Sequence, residues 1–286
     1  AKVGLKPTFA RVPGAGAFPL AFSLDHAGPM ARTPRDALLL LRAIAPGRWE
    51  HADGRDDGRG RGSRFAGARV GVLSDTDGMR LSSDIERVFQ DALETLAGLG
   101  AECVECHLPE AADMLATFGT IQRAEAVLAH RLAGIYPSRG PDYGADVRAR
   151  LEVALGVTLD DYLKAALERR RLQERFLELL ASVDVLISPI SAVPPVPVGE
   201  DDLVHEGETV PFRDAVMTYT VPQDLVGVPA CAVRAGFDRN GVPVGVQLTG
   251  MPWSDEQTLL FADAFFATTE SVQGTWPQHI AATPPA

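Results

Sequence analysis

Hydrophobic residues recur along this chain with two different periods, and the alternation between them predicts an α/β fold. The short apolar run Arg69–Leu73 predicts a strand, and Ala101–Leu108 alternates apolar and polar residues like a second one. Between them, apolar residues at helical spacing predict a helix over Ser82–Leu99. A strand, a helix and a second strand in this order are typical of a partly parallel sheet covered by helices.

Capping signals and helical periodicity predict five further helices. Thr33 can cap a helix that has Pro34 at its first position and ends near Pro46. The segments Thr158–Asp161 and Ser254–Gln257 have the spacing of capping boxes. The predicted spans are 34–45, 110–133, a helix after the Pro/Gly break at 137–144, 158–182 and 254–268.

The C-terminal half also predicts strands. Val183–Ser188 is one candidate, and Val228–Phe237 and Val242–Thr249 bracket a four-residue hairpin connection. By contrast, residues 1–33 are rich in Gly and Pro and predict irregular chain with short extended pieces such as Phe18–Leu24. The proline-rich stretch after Pro189 predicts a loop through about residue 210.

Residues 46–67 form a Gly/Arg/Asp segment with almost nothing to bury, which predicts a flexible surface loop. Its glycines lack the GK[ST] sequence of a phosphate-binding loop. Neither an internal repeat nor a clean linker divides the rest of the chain. We therefore treat residues 1–286 as belonging to one domain.

Composition excludes several classes of function. The 286 residues carry 27 Lys and Arg against 38 Asp and Glu, a net charge of −11, which disfavours binding to nucleic acid. No apolar run approaches the roughly 20 residues of a membrane helix. Three cysteines do not make a disulfide framework, so a reducing cytoplasm is the expected compartment.

The short chemical motifs do not predict a metal or a cofactor. Cys103–His107 has the spacing of a c-type haem attachment site, but its alternating context favours a strand with the two cysteines on opposite faces. The six histidines show no metal-binding spacing, and no GxSxG or SxxK motif is present. Asp25 and His26 are adjacent, and neighbouring side chains in extended chain point in opposite directions.

Longer sequence blocks that can be compared with known families are spread along the whole chain, beginning with Gly4-Leu-Lys-Pro-Thr8 and the segment Phe18–Thr33. In order and spacing they resemble the amidase signature family of amide-bond hydrolases. This resemblance implies a mixed β-sheet flanked by helices. The other matching blocks are Arg11-Val12, Asp36, Ala68–Leu73, Leu99–Ala101, Leu108-Pro109, Tyr143–Arg150, Val183–Pro189, Val221–Ala230 and Gly241–Gly250.

The resemblance also implies a serine nucleophile, a second serine in a cis peptide, a neutral buried lysine and a Gly-rich oxyanion turn. In the family these lie N-terminal to the GLKPT block, so we expect the Ser-Ser-Lys triad and the oxyanion hole upstream of Ala1. Lys6 belongs to the GLKPT block and Lys164 lies in a charged helix, so neither replaces the family lysine.

This placement has consequences for the chain by itself. We expect that the chain contains no catalytic residue and is the C-terminal part of the domain, inactive alone. We expect its partner to be the missing N-terminal half of the same domain. Strand edges left uncovered would favour aggregation or a homo-oligomer.

By resemblance, three segments face the substrate: the helix around Phe118–Glu125, the loop after Ser188 and the turn Val221–Gly227. Arg150 could hold a substrate carboxylate. Asp224 stands where the family usually has Asn, and Ala10 where Gly is usual. An ionised Asp only accepts hydrogen bonds, and alanine is strained if position 10 needs a positive φ. The candidate pocket residues are Phe118, Ile121, Glu125, Arg150, Ser188, Pro222 and Asp224.

Three functions remain open. The first is hydrolysis of a small carboxamide to an acid plus ammonia or amine through a serine acyl-enzyme. The second is the glutaminase-type A subunit of a tRNA-dependent amidotransferase, in which an acid is expected where this chain has Val216-Met217. Met217 favours the stand-alone amidase. The third is a truncated, non-catalytic half.

Overall fold

The computed structural model describes residues 3–47, 63–74, 79–108, 110–205 and 207–269. In chain order its strands are β1 (Val3–Lys6), β2 (Met30–Ala31), β3 (Arg69–Val72), β4 (Glu102–Glu105), β5 (Val185–Pro189), β6 (Asp202–His205), β7 (Glu208–Pro211), β8 (Ala230–Phe237) and β9 (Pro243–Thr249). Its α-helices are α1 (Pro34–Ile44), α2 (Ser83–Gly98), α3 (Ala111–Leu132), α4 (Ala145–Ala154), α5 (Leu159–Ala181), α6 (Phe212–Val226) and α7 (Asp255–Thr268).

Seven strands of the described residues form one mixed sheet with the strand order β2-β1-β8-β9-β5-β3-β4. Strands β4, β3 and β5 are parallel to one another, as the strand–helix–strand pattern predicts. The remaining neighbours pair antiparallel, including the predicted hairpin of β8 and β9. Every residue of β5 is buried because the sheet is covered on both faces.

Helices pack on both faces of this sheet and form a three-layer α/β fold. One hydrophobic cluster joins the sheet to α1, α2 and α7, with Leu41, Phe89 and Phe265 at its centre. A second cluster joins the opposite face to α3, α5 and α6, around Met114 and Phe176. The predicted fold class, a mixed β-sheet flanked by helices, is therefore confirmed.

Two of the three predicted helix caps form. The Thr33 hydroxyl accepts a hydrogen bond from the Asp36 N–H, and Thr158 and Asp161 complete a reciprocal capping box. The capping box predicted at Ser254 is wrong. Its hydroxyl donates to the Met251 carbonyl instead, and its φ of −89° and ψ of 28° are not those of an extended cap residue.

Secondary structure in the Gly- and Pro-rich regions differs from the prediction. Strands β1 and β2 lie in the segment expected to be irregular, whereas Phe18–Leu24 forms turns and no strand. The expected loop after Pro189 contains the β6–β7 hairpin. The expected turn at Val221–Gly227 is the C-terminal end of α6, which includes Pro222, and Gly227, with a φ of +80°, caps the helix.

The Gly/Arg/Asp segment 46–67 falls mostly outside the described residues, which resume at residue 63. At its C-terminal end Phe65 is completely buried in the first hydrophobic cluster, and Arg64 is nearly so. The expectation that this segment has almost nothing to bury is therefore wrong for these two residues. Flexibility of residues 48–62 stays a prediction.

Ala10 has a φ of +61°, in the left-handed region that favours glycine. A left-handed conformation costs an L-residue roughly 1–2 kcal/mol, and glycine loses part of that gain through its greater unfolded-state entropy. We expect Ala10→Gly to raise the free energy of unfolding by about 0.5–1 kcal/mol in urea titrations. In the control Ala133→Gly, where φ is −72°, we expect no gain. A loss of stability in Ala10→Gly would contradict the assigned strain.

Candidate functional site

A chain of polar contacts joins the end of β1, the turn after Leu24 and the end of α6. The Lys6 ammonium donates to the Val228 carbonyl at 2.5 Å and lies 3.3 Å from His26 Nε2. His26 Nδ1 lies 2.6 Å from the Leu24 carbonyl and 2.8 Å from Asp224 Oδ1. Because Nδ1 faces two acceptors, we assign its hydrogen there and leave Nε2 to accept from Lys6.

The sequence did not predict the pairing of His26 with Asp224. Asp25 turns away from His26 as expected, since its carboxylate accepts from the backbone N–H groups of Leu20 and Ala21. The His26 ring is almost fully buried, and the Asp224 carboxylate is about one quarter exposed. The only sequence signal for this pair was Asp at 224 in place of the usual Asn, which needs a donor such as this imidazole.

Burial lowers the pKa of Lys6 to about 8, although the carboxylates of Asp224 and Asp255 act in the opposite direction. The unfolded chain, with an ordinary lysine pKa of 10.5, then holds more protons than the folded chain between these two values. Stability attributable to Lys6 therefore rises as the pH increases from about 8 to 10.5.

We expect this rise to reach up to about 3 kcal/mol, because one pKa unit corresponds to about 1.4 kcal/mol. Urea titrations of the wild type and Lys6→Met between pH 7.5 and roughly 10.5 measure it as the difference in slope. Lys164→Met is the control, since Lys164 lies on the surface beside Asp160. Equal slopes in the wild type and Lys6→Met would contradict the lowered pKa of Lys6.

A second set of contacts holds the turn at Ser23 between α3 and α5. The Glu125 carboxylate, which is 1% exposed, accepts from the Ser23 N–H at 2.9 Å and from the Tyr162 hydroxyl at 2.9 Å. Arg169 donates to the Ser23 hydroxyl, the Ser23 carbonyl and the Leu225 carbonyl. Both Glu125 oxygens are therefore occupied by the protein itself.

A third carboxylate fixes the chain directly after Lys6. Asp255, at the first turn of α7, is 1% exposed and accepts from both the backbone N–H and the hydroxyl of Thr8, each at 2.8 Å. The Thr8 hydroxyl in turn accepts from the Trp253 N–H. The chain is thus held after Lys6 by Asp255 and before it by the pairing of β1 with β8.

Ser188 lies at the buried end of β5. Its hydroxyl donates to the Pro189 carbonyl and accepts from the Gln247 amide, both at 3.0 Å. The same amide donates to the Tyr219 carbonyl of α6. This network joins β5, β9 and α6 in the interior, beside the loop that the sequence predicts to face the substrate.

A cavity of about 950 Å³ opens between α3, α4 and α6; we call it the α3–α4–α6 cavity. Small residues of α3, such as Ala116 and Gly119, leave room for the cavity, and Met217 and Thr218 of α6 also line it. Leu20, three residues before Ser23, also lines the cavity.

The structure separates the seven candidate pocket residues. Of these described residues, Arg150 lines the α3–α4–α6 cavity and the other six do not. Phe118 and Ile121 pack in the second hydrophobic cluster, and Pro222 is buried in α6. Glu125, Ser188 and Asp224 belong to the polar networks described above. A direct contact of any of the seven with substrate stays a prediction.

The expected position of the Ser-Ser-Lys triad and the oxyanion hole, upstream of Ala1, stays a prediction. Ala1 itself lies outside the described residues. Within the described ranges, the Lys6 ammonium contacts two backbone carbonyls and His26, and Lys164 pairs with Asp160 on the surface. Neither lysine contacts a serine hydroxyl there, so the described residues do not form a serine–lysine pair.

The other motifs have structural roles in the described residues. Cys103 lies on β4 and Cys106 directly follows the strand, so the interpretation of the start of this motif as part of a strand is confirmed. No group of three or more His, Cys, Asp or Glu within the described ranges is placed to hold a metal. No helix in those ranges is long and apolar enough to cross a membrane.

Comparison with known proteins supports a single family. The Amidase family model matches residues 2–259. The chain is 33% identical to an amidase of Pseudomonas putida, over 98% of this chain and 61% of that protein. It is 32% identical to the A subunit of glutamyl-tRNA(Gln) amidotransferase from Gluconobacter oxydans, over 91% of this chain and 56% of that protein.

Solved structures agree with this assignment. A crystal structure of an amidase superposes with a TM-score of 0.81 at 30% identity, over 93% of this chain and 58% of that one. The structure of the glutamyl-tRNA(Gln) amidotransferase A subunit from Thermotoga maritima gives a TM-score of 0.68 at 27% identity, over 92% and 57% of the two chains. In each comparison this chain spans somewhat more than half of its relative. The chain therefore belongs to the amidase signature family.

Proposed function

We propose that this chain forms the C-terminal part of an enzyme that hydrolyses a carboxamide to a carboxylate plus ammonia or an amine. The observation that carries this proposal is the family match over residues 2–259. The α3–α4–α6 cavity supports it because catalytic sites are commonly concave and lined mainly by apolar groups. The chain covers only 56–61% of the relatives' length, so the other groups of the site are assigned to a separate segment.

In the proposed mechanism, a serine hydroxyl outside these 286 residues attacks the amide carbonyl and forms an acyl-enzyme ester. The nitrogen of the scissile bond leaves with a proton, and water then hydrolyses the ester to release the acid and regenerate the serine. This chain contributes one wall of the substrate cavity. Its Glu125 network holds the turn at Ser23, three residues after Leu20 of that wall, and such positioning matters because a small displacement lowers the rate strongly.

The test is complementation between two chains. The 286-residue chain is assayed for ammonia release from a panel of aliphatic and aromatic carboxamides, alone and co-expressed with the N-terminal two fifths of the Pseudomonas putida amidase. We expect turnover only when both parts are present. Activity of this chain alone would overturn the assignment of the nucleophile to another segment. An assembled but inactive complex would instead favour the non-catalytic half.

The second candidate is the A subunit of a tRNA-dependent amidotransferase, because several relatives carry that name. Met217 lines the cavity at the position where an acid is expected in such subunits, which favours a stand-alone amidase. Asp214, one turn earlier on α6, also lines the cavity and supplies a carboxylate that could hold an α-amino group. Glutaminase activity that increases with an acylated tRNA would decide for the amidotransferase.

A further inference from the structure

Three leucines form an apolar row on the outer side of α5, which we call the α5 stripe. Leu159, Leu163 and Leu167 follow one another at intervals of four residues, so they lie on one side of the helix. Their exposed fractions are 73%, 53% and 67%. The row is about 12 Å long, because an α-helix rises about 1.5 Å per residue. A contiguous row of large exposed apolar side chains, unlike single ones, indicates an interaction surface.

The α5 stripe faces away from the sheet. Leu172 and Phe176, on the opposite side of α5, are completely buried in the second hydrophobic cluster. None of the three described leucines of the stripe lines the α3–α4–α6 cavity. A further segment of the domain that extends the sheet would pair with an end strand, β2 or β4, and not with the outer side of a helix. Neither the core, the cavity nor the sheet therefore accounts for the stripe.

The charged residues beside the α5 stripe favour a second copy of this chain as its partner. Asp160 and Lys164 lie along one edge of the stripe, one turn apart, and pair with each other at 2.6 Å. Two α5 helices packed antiparallel about a two-fold axis bring Leu163 against its own counterpart, and Leu159 against Leu167 of the other copy. The same packing brings Asp160 of each copy beside Lys164 of the other. Parallel packing would instead oppose like charges, which is unfavourable.

We propose that the α5 stripe is a homodimer interface, formed by antiparallel packing of α5 against the α5 of a second copy. The proposal goes beyond the proposed function and does not depend on it, because a contact between copies needs neither a nucleophile nor a substrate. The stripe is smaller than a standard protein interface, so we expect a dissociation constant on the order of 10 µM. Sedimentation velocity of the 286-residue chain over a range of concentrations measures it.

Opposite charges at position 163 test the two-fold axis itself. We expect Leu163→Glu and Leu163→Lys each to weaken self-association at least about tenfold, because like charges then meet at the centre of the interface. An equimolar mixture of the two variants should associate again, since an acidic side chain of one copy then meets a basic side chain of the other. Leu163 is exposed, so neither variant should change the fold, and circular dichroism checks this.

Leu39→Glu is the matched control. Leu39 is an exposed leucine of α1, the helix that packs on the other face of the sheet. This variant should leave self-association unchanged. Monomers at every concentration, an equal loss of association in Leu39→Glu, or no recovery in the mixture of Leu163→Glu and Leu163→Lys would overturn the proposal.

Two other occupants of the α5 stripe would also overturn it. The complex with the N-terminal two fifths of the Pseudomonas putida amidase tests the first, and it should form with Leu163→Glu as it does with the wild type. Loss of this complex would assign the stripe to the rest of the domain. Vesicles of phosphatidylcholine test the second. Binding of the wild-type chain to these vesicles that Leu163→Glu abolishes would assign the stripe to a membrane surface.

Discussion

Replacing Asp255 with alanine should lower the free energy of unfolding by about 3–5 kcal/mol. The carboxylate is buried and accepts two hydrogen bonds from Thr8, one from the backbone and one from the hydroxyl. Hydrogen bonds to a charged group are worth about 1.5–3 kcal/mol each, and the variant leaves the buried Thr8 N–H without an acceptor. Urea-induced unfolding followed by circular dichroism measures the loss.

Two further variants separate the hydrogen bonds of Asp255 from its position at a helix N-terminus. Asp36 occupies the first turn of α1 but is exposed, so Asp36→Ala should cost no more than about 1 kcal/mol through the helix dipole. Asp255→Asn retains one acceptor oxygen and should cost less than Asp255→Ala. If Asp36→Ala and Asp255→Ala are equally destabilising, the contact with Thr8 contributes nothing specific.

The sequence predicted the fold well where local signals agreed with the final packing. Thr33 and Thr158 cap their helices as expected, and the parallel pairing of β3 with β4 follows from the helix between them. The same reasoning missed α6, because Pro222 lies inside it and Gly227 follows it. Both residues ordinarily indicate a turn. Burial of the apolar side chains of α6, such as Leu225, against the neighbouring elements stabilises this helix despite its proline.

The candidate site was less predictable because its contacts join distant parts of the chain. Resemblance to the family directed attention to Glu125 and Asp224, but their partners Ser23 and His26 lie in a segment that carries no regular periodicity. The cavity likewise depends on the separation of three helices, which no local pattern encodes. Its wall includes a single one of the seven candidates, and its other arginines were not predicted.

The Glu125 variants test whether this carboxylate holds the turn at Ser23 in place. Glu125→Ala leaves the Ser23 N–H and the Tyr162 hydroxyl without their acceptor. It also removes a negative charge that interacts favourably with the partly buried guanidinium of Arg169. We expect a loss of about 3–5 kcal/mol in the free energy of unfolding, as for other buried charges that lose a partner. Amide hydrogen exchange at Ser23 should become faster at the same time.

A conservative replacement and a surface control make this prediction specific. Glu125→Gln keeps one carbonyl oxygen for the Ser23 N–H, and its amide can donate to the Tyr162 hydroxyl, so it should recover at least half of the loss. Asp113 is an exposed acid of the same helix, 3.5 Å from Arg171, and Asp113→Ala should cost less than about 1 kcal/mol.

The titration of Tyr162 gives a second measurement. Burial, and then the hydrogen bond to Glu125, raise the pKa of Tyr162. That pKa should therefore fall in Glu125→Ala, and unchanged exchange at Ser23 together with an unchanged Tyr162 titration would show that Glu125 does not hold this turn.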